Sequence, residues 1–292
     1  MARLADARDP IATQDRTRWP IVLTLVLGGM VAALHVGKVP PALPLLRVDL
    51  GLGLVPAGFV VSTFNVLGMT LGLLAGVTAD RLGRRRLVGL GFLAMTLGGL
   101  AGAVSQGVPT LLASRLLEGL GFMAVSVASP ALVLAVTARR DRPMVLSLWS
   151  IFMPAGMALA LAGAPLVLET AGWRVLWLTI AALAALAGVA VTAITAAIVQ
   201  SAPPAGSPWR VLRESVTRPG LLLLATIFGG YAFQWIAVMV WLPTFLTEAM
   251  RASAALAAPL TAVVVLMNVP GNLVGGMILR GGRPAAALVG LA

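Results

Sequence analysis

Two pairs of ionisable residues stand inside stretches that are otherwise almost wholly apolar: His35 with Lys38, and Arg115 with Glu118. On a helix, a spacing of i, i+3 puts both members of a pair on one face. Lys38 is suited to anchor an anionic solute, and His35 to assist it or carry a proton. The same residues admit a plainer account, in which Lys38 snorkels to lipid headgroups and His35 packs on a neighbouring helix. Arg115 and Glu118 likewise read in two ways. They are an intrahelical ion pair that neutralises both charges, or a switch in which protonation of Glu118 frees Arg115 to bind an anion. A third group, Tyr231, Gln234 and Trp235, shares a helix face by its i, i+3, i+4 spacing and offers hydrogen bonds beside an aromatic wall. Trp149, Met153, Asn65 and Asn268 are weaker candidates, since a single amide in an apolar helix commonly bonds a neighbouring helix.

The elements that must position these groups follow from composition. Hydrophobic residues make up 59% of the 292 and charged residues only 11%, and mean hydropathy is +0.98. A water-soluble globule cannot be built from that mixture, so the chain reads as an all-α, polytopic membrane protein. Cysteine is absent, and His35 and Lys38 are the single histidine and lysine. Disulfide frameworks, thiolate catalysis and multi-histidine metal sites are thereby set aside. No nucleophile–base pair or phosphate-binding loop is legible, so neither an enzyme nor a cofactor is expected. A net charge of +11 would suggest nucleic acid in a soluble protein. Here the arginines fall in short loops between apolar runs, so the expected partners are a lipid bilayer and a small solute, with a coupled proton, and not nucleic acid.

At roughly 20 apolar residues per crossing, spans are expected near 19–46, 55–79, 87–106, 109–136, 144–168, 173–199, 220–246 and 255–279. Cations alternate with this layout. Arg3, Arg8, Arg16 and Arg18 share one side with Arg81, Arg84 to Arg86, Arg139, Arg140, Arg142, Arg210, Arg213, Arg218, Arg280 and Arg283, whereas the opposite loops carry Arg47, Arg174 and Arg251. The asymmetry predicts a cytoplasmic N-terminus and cytoplasmic arginine-rich loops. The apolar run after residue 18 is longer than that of a cleavable signal, so 1–18 reads as a retained tail. A polar, proline-rich stretch from Gln200 to Pro208, then an amphipathic Trp209–Arg218, reads as a linker over 200–219. It separates 19–199 from 220–292. The excess of arginine over lysine hints at a GC-rich bacterial genome, which makes the bacterial inner membrane the expected location.

Gly76, Asp80, Arg81, Gly83 and Arg84 to Arg86 lie in the charged turn between the second and third spans. This order resembles the loop between spans 2 and 3 of major facilitator superfamily transporters. Further segments carry the resemblance: Leu43–Leu52 at the end of span 1, Arg115–Gly121 in span 4 with Glu118 where glutamine is usual, and Gly172-Trp173-Arg174 opening span 6. Gly76, Arg81, Gly83 and Arg84 recur as Gly275, Arg280, Gly282 and Arg283, with Leu279 in place of Asp80, as expected of repeated halves. The cyanate permease-like branch or a related one is the expected relative.

The resemblance implies a six-helix first half, a partial second half, and transport of a small solute by alternating access, with the solute held between the halves. The excess of buried positive charge favours an organic anion. It also implies a conformational latch formed by Gly76, Asp80, Arg81, Gly83 and Arg84, in which the acid caps a helix of the second bundle. That helix is expected beyond residue 292, leaving Asp80 to Arg84, Arg139 or Arg140. The Gly-Pro pattern of the family's antiporters should fall at Ala160-Leu161 and is absent, which weighs against drug efflux. A membrane sensor or inactive truncated product is the alternative from another class. After Arg283, nine residues rise about 14 Å as a helix, under half a bilayer core. Eight spans and the start of a ninth are therefore expected, from a fragment or C-terminal truncation of a longer protein.

Overall fold

A computed structural model of the chain describes residues 16–64, 82–198, 213 and 217–281. The described residues are mainly helical, with short turns between the helices whose connection is described. Gly76, Asp80, Arg81, Asn65 and most of the expected linker lie outside them.

Helix α1 (Trp19–Gly37) runs through Lys38 into α2 (Val39–Asp49). The break has a chemical cause. Pro40 and Pro41 have no amide hydrogen, so the carbonyls of Val36 and Gly37 lose their helical partners. Helix α3 is Leu54–Phe64 among the described residues. Helices α4 (Arg84–Ala103) and α5 (Val108–Ala135) follow, then a 3-10 turn, Arg139–Asp141, and α6 (Arg142–Ser150). Proline in the first turn starts α1, α2, α5 and α6, a position where the missing amide costs nothing.

Helix α7 (Phe152–Ile194) is broken at Gly172, whose φ of 79° is a conformation that suits glycine. Gly83, ahead of α4, has φ 84° for the same reason. Two glycines of the quoted motifs are thus chain-turning positions. The remaining helices are α8 (Pro219–Glu248), α9 (Ala254–Leu266) and α10 (Asn268–Arg280).

Six of the described helical stretches are long and apolar enough to cross a membrane: 19–49, 84–103, 108–135, 139–194, 219–248 and 256–280. The fourth, if straight, would extend about 84 Å, well over twice a bilayer core. The stretch is therefore two helical segments that meet at the non-helical Gly172, between the expected spans 144–168 and 173–199.

Helices α1 to α7 form a tight bundle because glycines remove side chains where backbones meet. A Cβ on Gly91 would lie 2.8 Å from the Gly121 carbonyl, joining α4 to α5. Gly119 abuts the Phe64 backbone, and Gly156 abuts Met30. Two apolar cores fill this bundle, one around Leu25, Phe92 and Val133, the other around Leu46, Leu111 and Trp177. A smaller cluster joins α7 to α8 and α9 through Met157, Leu161, Met239, Ala262 and Val265. On α10, Gly276 leaves no room for a Cβ against Ser147 of α6.

Candidate functional site

The pairs that the sequence presents separately form one cluster. Lys38 Nζ donates to Glu118 Oε1 over 2.6 Å, and His35 Nδ1 lies 3.2 Å from the same oxygen. Arg115 Nη1 binds the other carboxylate oxygen, Oε2, and also donates to the His35 carbonyl at 2.9 Å. Its Nε donates to the Val60 carbonyl at 3.2 Å. None of the four side chains is more than 1% exposed. Snorkelling of Lys38 is therefore ruled out in this conformation.

Aromatic faces complete the cage. Lys38 Nζ sits 4.4 Å from the Trp177 ring centroid, and the Arg115 guanidinium 4.5 Å from that of Phe64. Both contacts stabilise a cation through the ring quadrupole. The carboxylate lies in a notch cut by two glycines on α4: a Cβ on Gly98 would come within 2.8 Å of Glu118 Cγ, and one on Gly99 within 3.5 Å of Oε1. Val60, Phe64, Trp177 and the Gly98-Gly99 notch were not singled out in the sequence. Two adjacent glycines inside an apolar span were the available signal.

With Glu118 ionised and His35 neutral, two cations face one anion, leaving a surplus of one positive charge. Protonation of Glu118 would leave both cations without a counter-charge, at high cost in a water-excluded site. His35 Nε2 and Trp177 Nε1 are buried without hydrogen-bond partners.

The cluster's hydrogen-bond, ion-pair and ring partners come from α1, the Lys38 joint, α3, α5 and α7. Val36, one residue away from His35, instead packs beside Met153 and Trp235 against the apolar cluster that joins α7 to α8 and α9. Helix α1 thus turns His35 toward α5 and Val36 toward α8 and α9.

Tyr231, Gln234 and Trp235 are not brought to the charges. Tyr231 is 52% exposed and donates to Asn268 Oδ1 at 3.2 Å. Gln234 is exposed, and Trp235 is half-buried with Nε1 unpartnered. Trp149 is buried and lies 4.6 Å from the Phe152 ring.

Two charged clasps flank the bundle at opposite ends. At one, Asp49 receives hydrogen bonds from Arg174 Nη1 at 2.5 Å and Trp173 Nε1 at 3.0 Å. This joins the segment 43–52 to the Gly172–Arg174 turn. At the other, Asp141, 4% exposed, accepts from Thr17 Oγ1 at 2.6 Å and from Arg280 at 2.9 Å. Arg280 is the repeat counterpart of Arg81, and its partner is an acid the sequence reading did not select. Of the expected latch, Gly83 opens α4, Arg84 is its first residue, and the other three residues lie outside the described region.

A bundle of long apolar helices with ionisable groups sealed among them defines a polytopic α-helical membrane protein. The model of the Major Facilitator Superfamily matches residues 25–292, and the chain belongs to that family, one of membrane transporters rather than enzymes. It is 32% identical over 162 residues to "Plastidic glucose transporter 4" of Arabidopsis thaliana, covering 54% of this chain and 30% of that protein. It is 29% identical over 214 residues to "Probable 4-methylmuconolactone transporter" of Cupriavidus pinatubonensis, covering 70% and 50%. The chain thus spans half or less of the length of these curated relatives. Among solved structures, a D-xylose–proton symporter superposes with a TM-score of 0.68 at 18% identity, covering 90% of this chain and 69% of that one.

Proposed function

We propose that the protein is a secondary transporter that carries a small organic anion by alternating access, with Glu118 as the proton-binding group. The observation that supports this reading is the sealed cluster of Lys38, Arg115 and Glu118, with His35 beside it, in which two cations share one carboxylate. A proton on Glu118 releases Lys38 and Arg115, and an anionic solute then replaces the carboxylate as their counter-charge. The proline-weakened joint after Lys38 lets α1 flex toward the second half, where Trp235, Gln234 and Tyr231 are the proposed further contacts. A relative named for 4-methylmuconolactone transport is in keeping with a small organic solute.

In this reading the arginine-rich ends and the N-terminus face the cytoplasm of a bacterial cell. Residues 19–199 make six crossings and 220–281 two more, linked by 200–219. Gly76, Asp80, Arg81, Gly83 and Arg84 act with the Asp141–Arg280 clasp as the cytoplasmic latch.

Counterflow of labelled organic anions into proteoliposomes of the full natural protein tests the proposal. Lys38→Ala should lower anion counterflow at least tenfold while the protein still elutes as a folded species. Unchanged counterflow in that variant would overturn the role given to Lys38. Saturable binding without counterflow in the unaltered protein would favour a sensor.

A further inference from the structure

A cavity of about 300 Å³ opens at the Asp49 end, between the two halves and apart from the charge cluster. Its walls come from α2, α7, α8 and α9, and five of its lining residues are prolines: Pro40, Pro41, Pro44, Pro165 and Pro243. Proline withdraws one helical amide and leaves the carbonyl four residues earlier without its usual donor. The carbonyls so released belong to Val36, Gly37, Pro40, Leu161 and Met239. Val36, Leu161 and Met239 belong to one apolar cluster, so three helices each carry a weakened turn where they pack together.

The remaining polar lining is Glu169, Thr244 and Thr247. The Thr247 hydroxyl spends its proton on the Pro243 and Thr244 carbonyls, at 3.1 and 3.0 Å, and so faces a ligand as an acceptor. Among the described residues, no lysine, arginine or histidine lines the cavity. A carboxylate and hydroxyl oxygens, set in walls of proline, leucine and alanine, match a hydrogen-bond-donating cation on an apolar body. They do not match an anion.

We infer that this cleft is a binding site for an amphiphilic organic ammonium ion, held by Glu169 at the charged head and by the proline walls at the apolar body. The volume is at the small end of ligand pockets, enough for a single aryl or short alkyl group. Because both halves supply the walls, an occupant bridges them and holds this end closed. The inference stands independently of the anion proposal.

The test uses the full natural protein in nanodiscs and 4-phenylbutylammonium as probe, with empty nanodiscs subtracted. Saturable binding is expected, with 4-phenylbutyrate at least tenfold weaker. Glu169→Gln, at an exposed position, should weaken binding of the amine about fivefold or more, and Thr244→Phe should fill the cavity and abolish it. Lys38→Ala should leave it unchanged. No saturable binding, equal binding of the carboxylate, or full affinity in both Glu169→Gln and Thr244→Phe would overturn the site. Loss of amine binding in Lys38→Ala alone would move it to the charge cluster and equally overturn it.

Discussion

The segments 16–198 and 217–281 are built from equally apolar helices but pack very differently. In the first, half or more of the best membrane-spanning window is buried in 19–49, 84–103 and 108–135. In the second, none of the corresponding window of α8 is buried, and Leu223, Ile227, Phe228 and Phe233 are all exposed. The difference teaches where charge can be kept. Four ionisable side chains are kept where glycine-mediated contacts exclude water and bring the charged groups onto one another. Among the described residues, none closes the face of α8 in this way, and its polar residues Tyr231 and Gln234 are exposed.

The largest expected effect follows from breaking the sealed side. Glu118→Ala leaves Lys38 and Arg115 buried without a counter-charge and should cost about 3–5 kcal/mol. Gln234→Ala on the exposed helix should stay within about 0.5 kcal/mol. Unfolding midpoints in mixed detergent micelles compare the two, and a similar loss in both would dissolve the contrast. Glycine substitutions sharpen it next. Gly121→Leu, against the Gly91 backbone, should destabilise by about 1–3 kcal/mol. Gly229→Leu, with nothing within 4 Å of its added Cβ, should not.

The Asp141 clasp joins the two regions, so its effect should be smaller and conformational. Asp141→Asn weakens the charge-assisted bond from Arg280 and should raise cysteine-labelling of Ser147→Cys, which Gly276 covers. Unchanged labelling would show that the clasp does not hold the halves together. Smallest of all, Tyr231→Phe removes one exposed hydrogen bond to Asn268 and should change stability by less than about 0.5 kcal/mol.

Much of the fold was legible because it depends on local properties. Apolar run lengths located the helices, and Gly83 and Gly172 marked turns that the backbone realises with positive φ. The charged residues were legible as two i, i+3 pairs. Their union was not, because it depends on the lateral placement of α1 against α5 and on the Gly98-Gly99 notch that admits the carboxylate. Helical periodicity also groups Tyr231 with Gln234 but is silent on which way that face points. The Asp141–Arg280 pair escaped for a similar reason: it joins residues 139 positions apart, and only the docking of α10 on α6 brings them together.

The most direct test of the central claim, that Glu118 couples a proton to anion movement, compares exchange with accumulation in Glu118→Gln. Proteoliposomes of the full natural protein would be assayed for anion counterflow without a proton gradient, and then for uptake driven by an imposed one. The account predicts that counterflow persists while gradient-driven accumulation falls to background. Accumulation equal to that of the unaltered protein, or loss of both activities in a folded protein, would contradict it.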